Sequence, residues 1–533
     1  MRICWHASTP LARRVLACAI LAVLLAGAGS ASAAAVTVCP SGCAFSQIAP
    51  ALAAANPGDT IKVAAGHYDG GFTIDKSVKL VGAGASSTII EGGGPVITIG
   101  QAFAASEPTV TIDGVTVTGG VTLGNLSPDV ARGGGIYIPR AAGPSTGVTV
   151  TIRNSVIRDN RVAPSGTVDS GIPCPGGGDC PSASAGGGGI SNDGTLTLDQ
   201  TLVTGNLVDP AAGLTSEADG GGILDRAFGN LTLRNSIVSG NEARVSPPNG
   251  RGADGGGILA VSGTLSVIDS VVSDNTVAGS GASSDGINVH VGGIHVGGDD
   301  NCASPSDCAV ATIRNSTITG NSVTGSNSIG DAVALCGGIC DDGVLTLRNS
   351  HVNNNHVAAT VSAGSTACAC GDSGGVGTGG PVAISDSQIT DNTVTSIAPA
   401  GTAFAVSGGG SGGNGLIVTI SDSVYSGNAL NATTTTGTAT VQGAGFANFG
   451  AVLTIRDTTL NGNSGTANGP GSSALGGGIW NGSDGTLTLL GSSITHNALT
   501  ASTALGGGLF TANPATIKDT VIANNVPDQC FGC

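Results

Sequence analysis

The chain has 533 residues, of which 91 are glycine, 10% are charged and 3% are aromatic. Its 35 acidic and 19 basic residues give a formal net charge of −16, a surface that repels nucleic acid and anionic membranes. Glycine and proline together approach the range of low-complexity chains. The glycines nevertheless sit in register with Val, Ile and Leu, which is the grammar of a repeat.

Residues 1–33 read as an export signal. Arg13 and Arg14 precede the apolar run "VLACAILAVLLAGAG", and Ala31-Ser32-Ala33 is a small-x-small cleavage site. The mature chain is expected to begin near Ala34. Loss of Arg2, Arg13 and Arg14 leaves 16 basic against 35 acidic residues, a net of −19. That balance suits polyanionic pectin poorly unless cations such as Ca²⁺ intervene. No later apolar run is long enough to span a bilayer. The expected location is secreted, extracellular or at the cell surface.

Residues 34–108 form a cap and first coils. The stretch "FSQIAPALAAANPGDTIKVAAGHYDGGFTIDKSVKLVGAG" predicts a short Ala-rich helix from about Ser46, then strands "TIKV", "FTI" and "VKLVG". A helix over the first coil covers its open apolar end and blocks edge pairing.

Residues 109–525 repeat one unit, as in "GGILDRAFGNLTLRNSIVSGN" at Gly221–Asn241. The closing residues are Asn160, Asn206, Asn241, Asn275, Asn321, Asn355, Asn392, Asn428, Asn463, Asn497 and Asn525, mostly 34 to 37 apart. A further unit from Thr109 has Gly120 in that place. Each unit carries a period-2 segment such as "TVTI" or "TLTL", which is a strand signature. Three residues before each Asn stands an apolar residue, from Ile157 to Ile522, which marks a core column. A single unit cannot bury its apolar face. Stacked copies can, so the reading is an all-β, single-stranded parallel β-helix solenoid of about 12–14 coils, with three strands per coil. The Asn is expected to take the left-handed corner and to stack on its neighbour through its amide. The Gly pair is expected to bend the opposite corner. Long Gly/Ala/Thr loops are expected to project from one edge as the contact surface.

Residues 526–533 form a tail. Beyond Cys4 and Cys18 of the signal, twelve cysteines fall in close pairs: Cys39/Cys43, Cys174/Cys180, Cys302/Cys308, Cys336/Cys340, Cys368/Cys370 and Cys530/Cys533. In an exported chain they read as disulfides. Cys174/Cys180 and Cys302/Cys308 are expected to close inside their own loops, and Cys530/Cys533 to staple the terminus. An extended strand would hold Cys336 and Cys340 about 13 Å apart, whereas a bridge needs Cα atoms within about 7 Å. Cys336 or Cys340 is therefore expected to bond Cys368 or Cys370 of the next coil.

The segment from Phe45 to about Gly92 resembles the cap of pectin-lyase-like right-handed β-helix proteins. The "GGGI…TLTLRNSxIxxN" units resemble the polymorphic outer-membrane protein repeat, with Ile, Val or Leu where that repeat favours Phe. The resemblance implies a right-handed coil. Autotransporters of that type end in a β-barrel, whereas here the repeats run to Asn525, so the resemblance implies a passenger-like rod. The pectin-lyase-like fold also hosts polysaccharide lyases, hydrolases and esterases, which place acidic residues, often with Ca²⁺, on one outer sheet.

Asp219 and Asp254 are the acidic candidates for such chemistry. Each precedes a "GGGI" in successive units, so stacking sets their carboxylates about 5 Å apart, the separation of a retaining glycosidase pair. Glu217 could join them, and Arg251 is near in sequence. Asp before Gly is equally ordinary turn chemistry. Arg153, Arg234, Arg314, Arg348 and Arg456 read as a surface ladder that shares its column with Asp113, Asp199 and Ser385. His290, His295, His351 and His356 would bind a metal only if they shared one face, and no cofactor is expected. Tyr137, Trp480 and Phe510 follow the "GGGI" aliphatic but stand far apart, which argues against a sugar groove. The expectation is an exported non-enzymatic surface or matrix protein of adhesin type. Its ligand would be extracellular, a polysaccharide or a cell-surface protein. The alternative is a polysaccharide lyase or glycoside hydrolase centred on Asp219 and Asp254.

Overall fold

Alternation of Thr with Val, Leu and Ile turns one face of each strand inward, and the strands stack with identical positions in line. Thr111, Thr151, Thr197 and Thr232, for example, are successive partners. The computed structural model describes residues 34–104, 107–124, 131–140, 147–164, 183–210, 216–226, 229–246, 252–297 and 309–533. Over them the chain coils into a right-handed parallel β-helix of five all-parallel sheets. In chain order within a coil, sheet I (Ala35–Val38 to Thr516–Lys518) has 15 strands and sheet II (Gly66–Asp69 to Val521–Ala523) has 14. Sheets III (Val121–Thr122 to Ala498–Thr500) and IV (Ala131–Arg132 to Thr503–Leu505) have 11 each, and sheet V (Phe72–Ile74 to Cys530–Phe531) has 14. The expected capping helix spans Ile48–Ala54 and buries Ile48, Ala51 and Leu52 on the first coil.

The early coils use only sheets I, II and V. The coils that begin at Thr109–Asp113 and run to Thr486–Leu490 add sheets III and IV, and the last, from Thr516–Lys518, again uses only I, II and V. Five strands per coil thus replace the expected three. The Gly/Ala/Thr stretches expected to project as loops include the strands of a second lobe. Their inward positions are small: Val162, Val208, Ala243 and Val277 on sheet III face Ala185, Ala218, Ala253 and Val289 on sheet IV. The rod therefore has two cores. A larger Ile/Leu/Val core lies within sheets I, II and V, and a Val/Ala core lies between III and IV.

The Asn column divides the two cores. Asn206 Nδ2 donates to Asn241 Oδ1 at 2.9 Å and to Ile157 O of the preceding coil at 3.1 Å, while Asn206 N donates to the same Asn241 Oδ1 at 3.1 Å. The same three bonds recur from coil to coil as far as Asn497. The side chains are essentially solvent-free. Contrary to the expectation from sequence, the Asn does not occupy the left-handed corner. That conformation belongs to the residue before it: Asp159, Gly205, Gly240, Asp274, Gly320, Asn354 and Asp391 all have φ between 54° and 67°. Relief of the corner by its neighbour leaves the Asn free to point inward.

The Gly pair is likewise not an opposite corner. Its second residue lies against the ladder. A Cβ on Gly189 would meet Asn206 Nδ2 at 2.9 Å, and one on Gly338 would meet Asn355 Nδ2 at 3.0 Å. The bend itself sits one residue earlier, at Gly133, Gly187, Gly220, Gly255, Val291, Cys336 and Ser373, all with positive φ.

That bend corrects the disulfide expectation. Cys336 has φ 57°, so the chain folds back between Leu335 and Ile339 and brings the Cα atoms of Cys336 and Cys340 to 5.5 Å. They bond to each other, and Cys368 bonds Cys370. Cys39–Cys43 and Cys530–Cys533 are also paired. Cys174, Cys180, Cys302 and Cys308 lie outside the described residues.

Two outcomes test this architecture. Non-reduced peptide mapping is expected to recover Cys336 joined to Cys340, with no peptide linking either to Cys368 or Cys370. Asn321→Leu strips the acceptor from Asn275 N and Nδ2, and urea unfolding is expected to show a loss of at least about 1–3 kcal/mol. An unchanged midpoint would mean the column is not buried.

Candidate functional site

Where sheet IV bends into sheet V, the two lobes meet at a re-entrant angle. Its first wall is the last position of each sheet IV strand: Arg132, Gly186, Asp219, Asp254, His290 and onward, each the register partner of the next. Strand alternation turns these outward, because Ala131, Ala185, Ala218 and Ala253 fill the core. Its second wall is the middle position of sheet V: Tyr137, Ser191, Leu224, Leu259 and His295.

The structure brings Asp219 and Asp254 together as direct partners. Glu217 lies two positions earlier, opposite Gly252. Arg251 lies outside the described residues. Sequence reasoning missed Arg132, which stands two coils before Asp219 in the same rank. The intervening residue is Gly186, and a Cβ there would sit 2.7 Å from Arg132 Nη1 and 2.3 Å from Leu224 Cδ2. Absence of a side chain at 186 lets the guanidinium lie toward Asp219. The signal was legible: "ARGGGI", "AGGGGI" and "ADGGGI" align the three residues.

The electrostatics single out Asp219. Burial pushes its carboxyl up, Arg132 opposes, Glu217 and Asp254 reinforce, and the result is a pKa of about 7. Burial draws Arg132 down to about 10, helped by Arg226 and opposed by Asp219 and Asp193, so it stays charged at neutral pH. Burial and the nearby Asp193 push Tyr137 up to about 12. Burial also raises Asp193 itself. A carboxyl that titrates near neutrality in the field of a buried cation is the kind of group acid–base chemistry requires.

Asp254 has a different partner. His295 Nδ1 is 2.6 Å from Asp254 Oδ2, and its Nε2 is 3.0 Å from Asp342 Oδ2. Burial disfavours the imidazolium, but the two carboxylates outweigh it and raise His295 to about 10. His295 is thus a charged strut across three coils, with both ring nitrogens occupied. Asp219 and Asp254 thus have different partners: Asp219 feels the charge of Arg132, and Asp254 is bound to His295.

The remaining candidates fall elsewhere. His290 ends a strand of sheet IV, His351 lies on sheet II and His356 on sheet III. The structure therefore does not bring the four histidines to one face. Among the described residues no group of three or more His, Cys, Asp or Glu is placed to hold a metal ion. The arginines Arg153, Arg234, Arg314, Arg348 and Arg456 end strands of sheet I, where Arg153 pairs with Asp113 at 3.0 Å. Trp480 and Phe510, expected to be far apart, are direct partners on adjacent strands of sheet V, because thirty residues make one coil.

The raised groups fix a pH dependence. His295 binds its proton more tightly in the folded chain than the ordinary 6.5, so its stabilisation is complete below about pH 6.5 and is lost as pH rises through about 10. Asp219, at about 7, and Asp341, pushed by burial to about 8, act in the same direction above the ordinary carboxylate value. Thermal melts are expected to fall steadily from pH 6 to pH 10, and His295→Gln to flatten the upper part of that decline. A Tm that is level across this range would contradict the charged strut.

No family model and no curated protein sequence matches this chain. Among solved structures, the A-module of the Azotobacter vinelandii mannuronan C-5 epimerase AlgE6 aligns over 89% of this chain and 92% of its own, with 14% identity and a TM-score of 0.38. The PL6 family alginate lyase AlyGC aligns over 93% and 100%, with 9% identity and a TM-score of 0.15.

Proposed function

We propose that the protein is an exported β-helix that binds a polysaccharide chain along the angle between its lobes and cleaves it by acid–base catalysis at Asp219. One observation carries this reading: a carboxyl with a pKa of about 7, in the field of buried Arg132 and one coil from Asp254, which His295 holds. Near neutral pH a large fraction of Asp219 is protonated. It gives that proton to the departing glycosidic oxygen while water adds to the anomeric carbon, and the proton that the water releases returns to the Asp219 carboxylate. Arg132 offsets negative charge on the substrate, and the His295 strut holds Asp254 in place. The repeat grammar supports placing the chain among the pectin-lyase-like helices.

The adhesin-like expectation placed its contact surface on projecting Gly/Ala/Thr loops, and much of that sequence forms the strands of sheets III and IV. A binding protein without turnover remains the outcome to test against. Incubation with neutral and uronate-containing polysaccharides, followed by reducing ends and absorbance at 235 nm, is expected to reveal turnover that declines above about pH 7. Asp219→Asn is expected to lower it by about 100-fold or more without lowering Tm. Wild-type turnover in Asp219→Ala, or binding with no turnover on any substrate, would remove Asp219 from catalysis.

A further inference from the structure

The rank on sheet V that begins at Tyr137 changes character along the rod. After Cys340 it runs through Gly377, Ser411 and Ala447, and then becomes aromatic: Trp480, Phe510 and Phe531 are successive register partners. The rings of Phe510 and Phe531 stack with centroids 5.3 Å apart and planes 6° apart. Phe449 flanks Trp480 at 5.1 Å. Gly482 leaves room for the indole, since a Cβ there would lie 2.8 Å from Trp480 Cη2. Trp480 and Phe510 keep partial exposure and Phe531 is 44% exposed. The facing rank of sheet IV supplies Gln442, Leu475 and Leu505, none of which is charged.

We infer that Trp480, Phe510 and Phe531 form a stacking platform for the pyranose faces of a neutral stretch of polysaccharide. The proposal rests on the polysaccharide reading for its ligand class and adds a second, non-catalytic subsite to the same groove. The chemistry is direct. The axial C–H bonds of a sugar ring carry partial positive charge and settle on the negative face of an aromatic ring. The platform advances one strand at a time, about 4.8 Å, close to the advance per residue of an extended β-linked hexose chain. The strands that carry Trp480 and Phe510 are paired on both sides, so a peptide strand could add only beyond Cys530–Phe531, the last strand of sheet V. Nucleic acid is opposed by the net charge of −16. Leu224, beside Asp219, lies seven strands of sheet V before Trp480, roughly 34 Å along the rod, so only a polymer reaches both.

Trp480 is its own reporter, since the only other tryptophan is Trp5. Full-length protein carrying Trp5→Phe is titrated with β-1,4-linked hexasaccharides of glucose, xylose, mannose and N-acetylglucosamine, and with a uronate hexasaccharide. At least one neutral hexasaccharide is expected to give a saturable blue shift of Trp480 emission. Phe510→Ala is expected to weaken that binding tenfold or more, and Phe510→Tyr to restore it. Asp219→Asn is expected to leave it within twofold. Phe531→Ala, at the more exposed position, replaces Phe510→Ala if the latter loses its β-sheet circular dichroism. Absence of a saturable response to every neutral sugar, a response to the uronate alone, or full affinity in the folded alanine variant would overturn the platform. Platform binding with no turnover would overturn the cleavage reading alone. Turnover with an unchanged KM for long chains in Phe510→Ala would overturn the platform alone.

Discussion

The buried asparagine ladder is the constraint on which the rest of this molecule depends. An amide side chain with no solvent must satisfy two donor hydrogens and an acceptor. Here each does so through the coil above and the coil below. Those bonds hold the coils to one register, because a shift of one residue would turn every Asn outward and leave its partners unmet. The ladder also draws the opposite side of the coil inward, since only glycine fits against it. The cross-section is pinched, the interior splits into two cores, and a re-entrant angle appears where sheet IV meets sheet V. Asp219, Arg132 and Tyr137 lie in that angle, and their shifted pKa values follow from the burial it imposes.

A second ladder supports the first. At the corner between sheets I and II, Ser236, Ser270 and Ser316 accept the backbone N–H of the preceding coil, at 3.1 to 3.2 Å. The residues before them, Asn235, Asp269 and Asn315, take the left-handed conformation and face solvent. Both corners therefore use one rule. A residue tolerant of positive φ makes the bend, and the small polar residue after it turns inward and hydrogen-bonds along the rod axis. The sequence pairs "NS", "DS", "GN" and "DN" record that rule. The ends of the Asn ladder are closed by other groups: Gly120 N donates to Asn160 Oδ1, and Gln529 Oε1 accepts from Asn525 N and Nδ2.

Much of this was legible in the sequence. The period, the Asn column, the core column from Ile157 to Ile522 and the capping helix were all readable, because each depends on one residue type recurring at one place. Sheets III and IV were not, because Ala, Val, Gly and Thr carry too little hydrophobic contrast to separate a thin buried lobe from a loop. The bend at Cys336 was missed because a cysteine stands where other units have glycine. The site was half legible. Asp219 and Asp254 announce themselves beside "GGGI", but Arg132 and His295 reach them from other coils, across distances that the linear chain hides. The same effect made Trp480 and Phe510 look remote.

The central claim is that the ladder is a single cooperative seam that holds both lobes. Hydrogen exchange, resolved by peptide and compared between wild type and Asn321→Leu, tests it most directly. Protection should fall together in sheet II around Val272 and Ile318, in sheet III around Val323, and in the Gly292–Gly293 segment, and the loss should spread to the coils of Asn275 and Asn355. Loss confined to the two or three residues around position 321, with sheets III and V as protected as in the wild type, would contradict the account.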